Sequence, residues 1–147
     1  MLSAFQTELI AHINTAHYAK EYFGEIADRE RLKMVKSKLP LVLVDFVGSD
    51  GEDAYAEDAT FNLYLVHATY SGNETLRANT RISLLDFRRS VKRIVSQQSF
   101  GGSGPVEVKK TKKLLDAATD GAYLTVYTMT VRATVYDTEP LEGALTT

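Results

Sequence analysis

The chain opens with apolar residues that recur at helical spacing. Phe5, Leu9 and Ile13 are four residues apart, which places them on one stripe of a helix. This pattern predicts an amphipathic helix over residues 3–18, with its apolar stripe turned toward the core of the protein.

The middle of the chain predicts a short helix over residues 28–39 and then two strands. The run LVLVDFV, residues 41–47, is continuously apolar and rich in valine, which is typical of a strand buried on both faces. Residues 48–58 are polar and glycine-containing, so we predict a loop there. Apolar and polar positions then alternate over residues 60–70, which predicts a second strand.

The last part of the chain predicts a long helix and a β-hairpin. Two strands flank the Asp-Gly pair at residues 120–121, a dipeptide typical of hairpin turns. The second of them alternates so that one face is apolar and the other polar, as in a strand with one wet face. The helix is predicted over residues 80–98, where the apolar stripe consists of Leu84, Phe87, Val91, Ile94 and Val95.

These elements predict one α+β domain over residues 1–137, a mainly antiparallel sheet with helices packed on one face and a long C-terminal β-hairpin. Residues 138–147 show no periodicity, so we expect an extended or disordered tail. The last strand, residues 122–136, would span roughly 50 Å at about 3.3 Å per residue. A domain of this size is only about 30 Å across. We therefore expect a bend at a bulge or, as the favoured alternative, a projecting hairpin that a neighbouring subunit covers.

Composition narrows the class of protein. The 147 residues are 44% hydrophobic and 24% charged, as in ordinary soluble domains. No apolar run approaches the roughly 20 residues of a membrane helix, and the N-terminus lacks the pattern of a signal peptide. Cysteine is absent, which excludes disulfides and thiolate chemistry. The formal net charge of −2 predicts that the protein as a whole does not bind polyanions.

Residues 81–113 are strongly basic, with nine basic and two acidic residues. The glycine-rich FGGSGP inside this segment does not fit a phosphate loop, because a strand follows it and Pro105 removes a backbone amide. Two interpretations stay open: a solvated helix face followed by a lysine-protected edge strand, or a surface that contacts nucleic acid. The candidate interaction residues are Arg88, Arg89, Lys92, Arg93, Lys109 and Lys110.

Residues 45–58 are the acidic counterpart, with six acidic residues and no basic one. A calcium loop of the EF-hand type fails, because Ala54 stands where the third ligand is needed. We therefore predict no metal site, and name Asp50, Glu52 and Asp53 as candidate interaction residues.

No catalytic pattern is visible in the sequence. The three histidines lack zinc-ligand spacing, and neither a Ser-His-Asp order nor a nucleophile elbow is present. We therefore predict that the protein is not an enzyme and needs no cofactor. If the acidic and basic segments lie on different sides of the domain, copies can associate head to tail, and such contacts close into a ring when the rotation permits.

The order of these segments resembles a known family, the Mu-like phage tail proteins of the tail terminator (tail completion) type. The resemblance covers about residues 1–137 and rests on element order and hydrophobic texture. It is carried, in order, by RLKMVKSKLPLVLVDFVGSD, ATFNLYLVHATYSGNETLR, ISLLDFRRSVKRIVSQQ and AYLTVYTMTVRATV.

The resemblance implies an α/β protomer that forms a hexameric ring at the head-proximal end of a phage tail in the virion, after assembly in the host cytoplasm. Such a ring caps the tail tube and joins it to the neck and head, and in contractile tails it also meets the sheath. DNA crosses its channel without sequence-specific binding, and no membrane is involved. Two alternatives stay open: a small nucleic-acid-binding module that uses the basic 81–113 face, and another head–tail joining or baseplate protein.

Overall fold

A computed structural model describes residues 2–27, 39–51, 55–69, 74–119 and 122–136. Two described helices pack on one face of a five-stranded sheet. The described residues do not include the predicted helix over 28–39 apart from its last residue, the C-terminal tail 138–147, Glu52 or Asp53. The elements are α1 (Leu2–Asn14), β1 (Tyr18–Glu21), β2 (Leu41–Asp50), β3 (Ala56–Thr69), α2 (Glu74–Val95), β4 (Glu107–Thr119) and β5 (Ala122–Tyr136).

The sheet confirms the predicted α+β class. Its strand order is β1-β2-β3-β5-β4, with β1 parallel to β2 and the other neighbours antiparallel. The long hairpin of β4 and β5 is present, but it does not stand alone. β3 pairs with β5 over its length, from Ala56 opposite Tyr136 to Thr69 opposite Tyr123. β3 therefore covers the β5 side of the hairpin, whereas β4 is the edge strand of the sheet, and covering of that edge by a neighbouring subunit stays a prediction.

The first helix is shorter than predicted, and a strand follows it. The side chain of Asn14 donates to the carbonyl of Ala19 at 2.8 Å and accepts from its amide at 2.9 Å, which turns the chain out of the helix. Residues Tyr18–Glu21 then pair in parallel with Leu41–Val44 of β2. A strand of four residues carries too little alternation for a sequence pattern to reveal it.

The predicted loop over residues 48–58 is too long, because both of its ends belong to strands. β2 continues to Asp50 and β3 begins at Ala56, so that Asp50 lies opposite Asp58. A bulge between Phe46 and Gly48 shifts the register and lets the pairing continue beyond the apolar run. The prediction that residues 41–47 are buried on both faces is right only for the first four residues of β2. Phe46 and Val47 are exposed.

The main core lies between the helices and the sheet. The predicted stripe of Phe5, Leu9 and Ile13 is fully buried there, which confirms the inward face of α1. Phe5 lies with its ring centroid 5.2 Å from that of Phe61 and 6.0 Å from that of Phe100, which joins α1 to β3 and to the segment after α2. α2 contributes Leu84, Phe87, Val91 and Val95 to the same core.

A second apolar cluster lies on the opposite face of the sheet. Leu124 and Val126 belong to this cluster. They lie on the same face of β5 as Thr130, the face that the sequence pattern predicted to be polar. The expectation that this face of β5 is wet is therefore right only for its C-terminal part, around Arg132 and Thr134. The cluster consists of Leu41, Leu43, Val66, Ala68, Leu124 and Val126, with Tyr22, Ile26, Leu39, Tyr64 and Leu115 packed against it.

Candidate functional site

The outer side of α2 carries a group of cations around one exposed leucine. Leu85 is 44% exposed, and the four basic residues follow it at helical spacings of three, four, seven and eight. None of the four forms an ion pair with another residue that the structure describes. We call this surface the α2 basic face; it consists of Leu85, Arg88, Arg89, Lys92 and Arg93.

These cations lie on the outer side of α2 because the apolar residues of the helix form one stripe that faces the core. Phe87, Val91 and Val95 are buried in the core against the sheet. Arg89, Lys92 and Arg93 are therefore exposed on the other side of the helix, and Arg88 is half-buried at its border. Lys92 and Arg93 lie in the last turn of the helix, where the helix dipole favours positive charge. The four cations and Ser96 line a shallow depression of about 430 Å³.

The two candidate lysines of β4 lie on a different surface. Lys110 is opposite Thr130 in the register, and it therefore points to the sheet face away from α2. Lys109 contacts Glu107 at 2.6 Å, and the hydrogen bond and charge of Lys109 lower the pKa of Glu107. The basic segment 81–113 is thus divided between two sides of the sheet. On β4, Lys109 and Lys113 have ion-pair partners, whereas Lys110 and Lys112, like the four cations of α2, have none among the described residues.

The lysines of β4 have a structural role that involves no ligand, because β4 lies at the edge of the sheet. β4 is an edge strand, and it contains two bulges, between Val108 and Lys110 and between Lys113 and Leu115. Lysines and bulges at an edge both oppose pairing with another chain. This supports the interpretation of these residues as edge protection.

The acidic segment meets a cation from elsewhere in the chain. Arg132 of β5 places Nη2 3.4 Å from Asp50 and 3.5 Å from Asp58. The hydroxyl of Thr134 also donates to Asp58 at 2.7 Å. Asp58 is therefore held by two neighbours, whereas the side chain of Asp50 is still 78% exposed and keeps one long ionic contact.

Two exposed apolar side chains accompany Asp50 on β2. Phe46 is 41% exposed and Val47 is 54% exposed, and Val47 has no partner in β3 because it occupies the bulge. The ring of Phe46 also contacts Phe61 of the core, with centroids 5.3 Å apart. We call this surface the β2 end; it consists of Phe46, Val47 and Asp50.

A polar groove of about 420 Å³ lies between β5 and the start of β4. Asp58, Glu107, Lys109 and Arg132 line it, and each of them is already in an ion pair within the chain. Charges of both signs therefore stand side by side, and the groove does not favour a ligand of either charge.

The three histidines all lie close to α2, which the sequence did not indicate. His17 contacts Ser90 at 2.7 Å and the ring of Phe87 at 4.9 Å, and His12 contacts the carbonyl of Ile94 at 3.2 Å. Burial lowers the pKa of both His17 and His67. Among the described residues no three histidine or carboxylate side chains are grouped so that they could hold a metal ion.

No helix in the described segments is long and apolar enough to cross a membrane. In comparisons with known proteins, no family model matches the chain and no curated protein matches it.

Proposed function

We propose that this chain is a structural phage tail protein, a ring-forming tail terminator that caps the tail tube and joins it to the neck and head. The observation that carries the proposal is the α2 basic face, a group of four cations that has no ion-pair partner among the described residues. An exposed, unneutralised face of this kind suits an interface with an acidic surface. The phage tail enters the proposal through the resemblance of the sequence to tail terminator proteins.

A closed ring explains how such a protein acts. When each copy uses one surface to bind the next, and the rotation closes, no copy is left with an unsatisfied surface. A ring of this kind on the end of a tube leaves no site for another tube subunit, so growth stops. The resemblance implies six copies, with the tube protein on one side and neck proteins, or the sheath in contractile tails, on the other. DNA passes through the ring, and the role needs no turnover and no cofactor.

The same four cations favour one other function, a small module that binds nucleic acid through the phosphate backbone. Sizing at several salt concentrations, with and without DNA, separates the two. A ring-sized species without nucleic acid supports the tail protein, and a monomer that DNA retains supports the module. Another head–tail joining or baseplate protein would share the ring but not the effect on tube length.

Imaging of tails assembled without this chain tests the proposal. We expect tubes of excessive and variable length that do not join heads. Tubes of normal, uniform length that still join heads would rule out the terminator role.

A further inference from the structure

We infer that the α2 basic face of one copy binds the β2 end of the next copy, so that the chain contacts itself head to tail through these two surfaces. The inference rests on the self-assembly in the proposed function, and it specifies which surfaces meet. The partner is a second copy of this chain, because the chain carries both complementary halves.

The α2 basic face has the chemistry of a binding surface for an acidic, partly apolar partner. Leu85, Arg89 and Lys92 follow one another along one side of α2, so an apolar contact lies beside unpaired cations. The aliphatic stems of arginine and lysine can cover an apolar partner while their charged ends reach its acids. The surface differs from the β4 lysines in its place in the fold, because those lysines lie on a bulged edge strand and Lys109 already has Glu107.

The β2 end has the opposite properties. Phe46 and Val47 expose apolar area at the bulge, and Phe46 faces the helices because it lies opposite Phe61. The bulge turns the largely exposed Asp50 to the other face of the sheet, opposite Asp58. Within the described residues β1 pairs only with the first four residues of β2, so no described strand covers this edge of β2 between the two side chains. An arginine over the face of an exposed aromatic ring gains a cation–π contact in addition to the charge attraction. The β2 end therefore offers a ring on one side of the strand edge and a carboxylate on the other, and the α2 basic face of the next copy lies along this edge to reach both.

The two surfaces do not neutralise each other within one copy. The ionic contact of Asp50 is with Arg132, and no described ion pair joins β2 to α2. They lie on different elements, one on the outer side of the helical layer and one on the sheet. When one copy uses only one of these surfaces toward each neighbour, the contact is heterologous, and it closes into a ring when the rotation permits.

Charge exchange between the two surfaces tests the inference. In the first variant, Arg89→Glu with Lys92→Glu places two acids at the centre of the α2 basic face and cancels its net positive charge, because only Arg88 and Arg93 remain. In the second, Val47→Lys with Asp50→Lys makes the β2 end basic, so that both surfaces carry cations. Sedimentation at low salt, after nuclease treatment, should show the wild type as an oligomer larger than a dimer and each variant as a monomer. An equal mixture of the two variants should assemble again, because one kind of contact is native and the other has its charges exchanged.

Two control variants match these changes elsewhere on the surface. Lys110→Glu with Lys112→Glu reverses two exposed charges on β4, and Leu114→Lys changes an apolar residue that is 45% exposed at the second bulge of that strand. Both should assemble like the wild type, and circular dichroism should show all variants folded.

Several results would overturn the inference: a wild type that is monomeric at every concentration, an oligomer that nuclease dissolves, variants that assemble alone, or a folded mixture that does not recover. If the variants assemble alone while tails without the chain still fail to terminate, only the choice of surfaces is wrong. If the exchange works but tails terminate normally without the chain, the surfaces are right and the terminator role is wrong.

Discussion

The cations of α2 and the lysines of β4 come from one basic stretch of sequence, but the fold gives them different surroundings. Arg89 and Lys92 stand on the outer side of a helix without an ion-pair partner among the described residues, whereas Lys109 contacts Glu107 on an edge strand with two bulges. Charge alone therefore does not identify an interaction surface. Internal neutralisation does not separate the two regions, because Lys110 and Lys112 of β4 also lack an ion pair within the described residues. The edge position and the bulges of β4 give its lysines the arrangement of edge protection, whereas the cations of α2 stand on a helix that needs none.

The largest effect should come from the core that supports α2. Leu9 is fully buried between the helices and the sheet, whereas Leu114 on β4 is 45% exposed. We expect Leu9→Ala to lower the free energy of unfolding by about 2–5 kcal/mol, the usual range for emptying a buried leucine site. Leu114→Ala should change it by less than about 0.5 kcal/mol. Urea unfolding of both variants measures the difference, and equal midpoints would show that α1 does not support the fold.

The next effect concerns salt, which should act on the assembly and not on the fold. The screening length falls from about 10 Å at 0.1 M to about 3 Å at 1 M salt. We expect oligomers to dissociate over this range, because the contact of the α2 basic face is dominated by exposed charges. Light scattering at several salt concentrations checks this, with circular dichroism as the control for folding. An oligomer that is unchanged at 1 M salt would assign the contact to apolar burial instead.

A smaller effect should separate the role of β4 from that of α2. Lys110→Val with Lys112→Val removes the charges that protect an edge strand and raises its tendency to pair with other chains. We expect irreversible aggregation on warming, while the oligomer formed in the cold is unchanged. The matched variant Arg89→Val with Lys92→Val should lose the oligomer instead. If both pairs behave alike, the distinction between edge protection and interface is wrong.

The smallest effect should be a loss of stability at mildly acidic pH. Burial lowers the pKa of His17 and His67 below 6.5 in the folded protein. The unfolded chain therefore takes up protons first as the pH falls through 6.5, and the stabilisation present above that pH decreases until the lowered folded pKa is passed. Urea unfolding at pH 7.5 and 5.5 measures this. His17→Gln with His67→Gln should reduce the difference between the two pH values, and a difference that persists unchanged would assign it to other groups.

Local patterns in the sequence predicted the elements whose burial repeats regularly. The stripe of Phe5, Leu9 and Ile13 fixed the inner face of α1, and the Asp-Gly pair at 120–121 marked the long hairpin. The sequence did not predict that β2 and β3 extend through the acidic residues, because the local propensity of Gly48 and Asp50 is against a strand. The long pairing of β3 with β5, which is distant in the sequence, accompanies this extension.

Of the candidate site, the sequence predicted only the part that lies on a single helix. Helical spacing was enough to place Arg88, Arg89, Lys92 and Arg93 on a common face of α2. The separation of Lys109 and Lys110 from that face depends on the register of β4 against β5, and the contact of Arg132 with Asp50 and Asp58 depends on a three-strand arrangement. Neither can be read from neighbouring residues.

An engineered cross-link tests the central claim, that the α2 basic face of one copy meets the β2 end of the next. The chain contains no cysteine, so Val47→Cys with Leu85→Cys supplies the only thiols. Oxidation of this variant should give a ladder of covalent oligomers that ends at the closed ring, and reduction should return the monomer. Each single-cysteine variant should stay monomeric on a denaturing gel. A double variant that assembles but forms no cross-link, or a single Leu85→Cys variant that forms dimers, would contradict the head-to-tail contact.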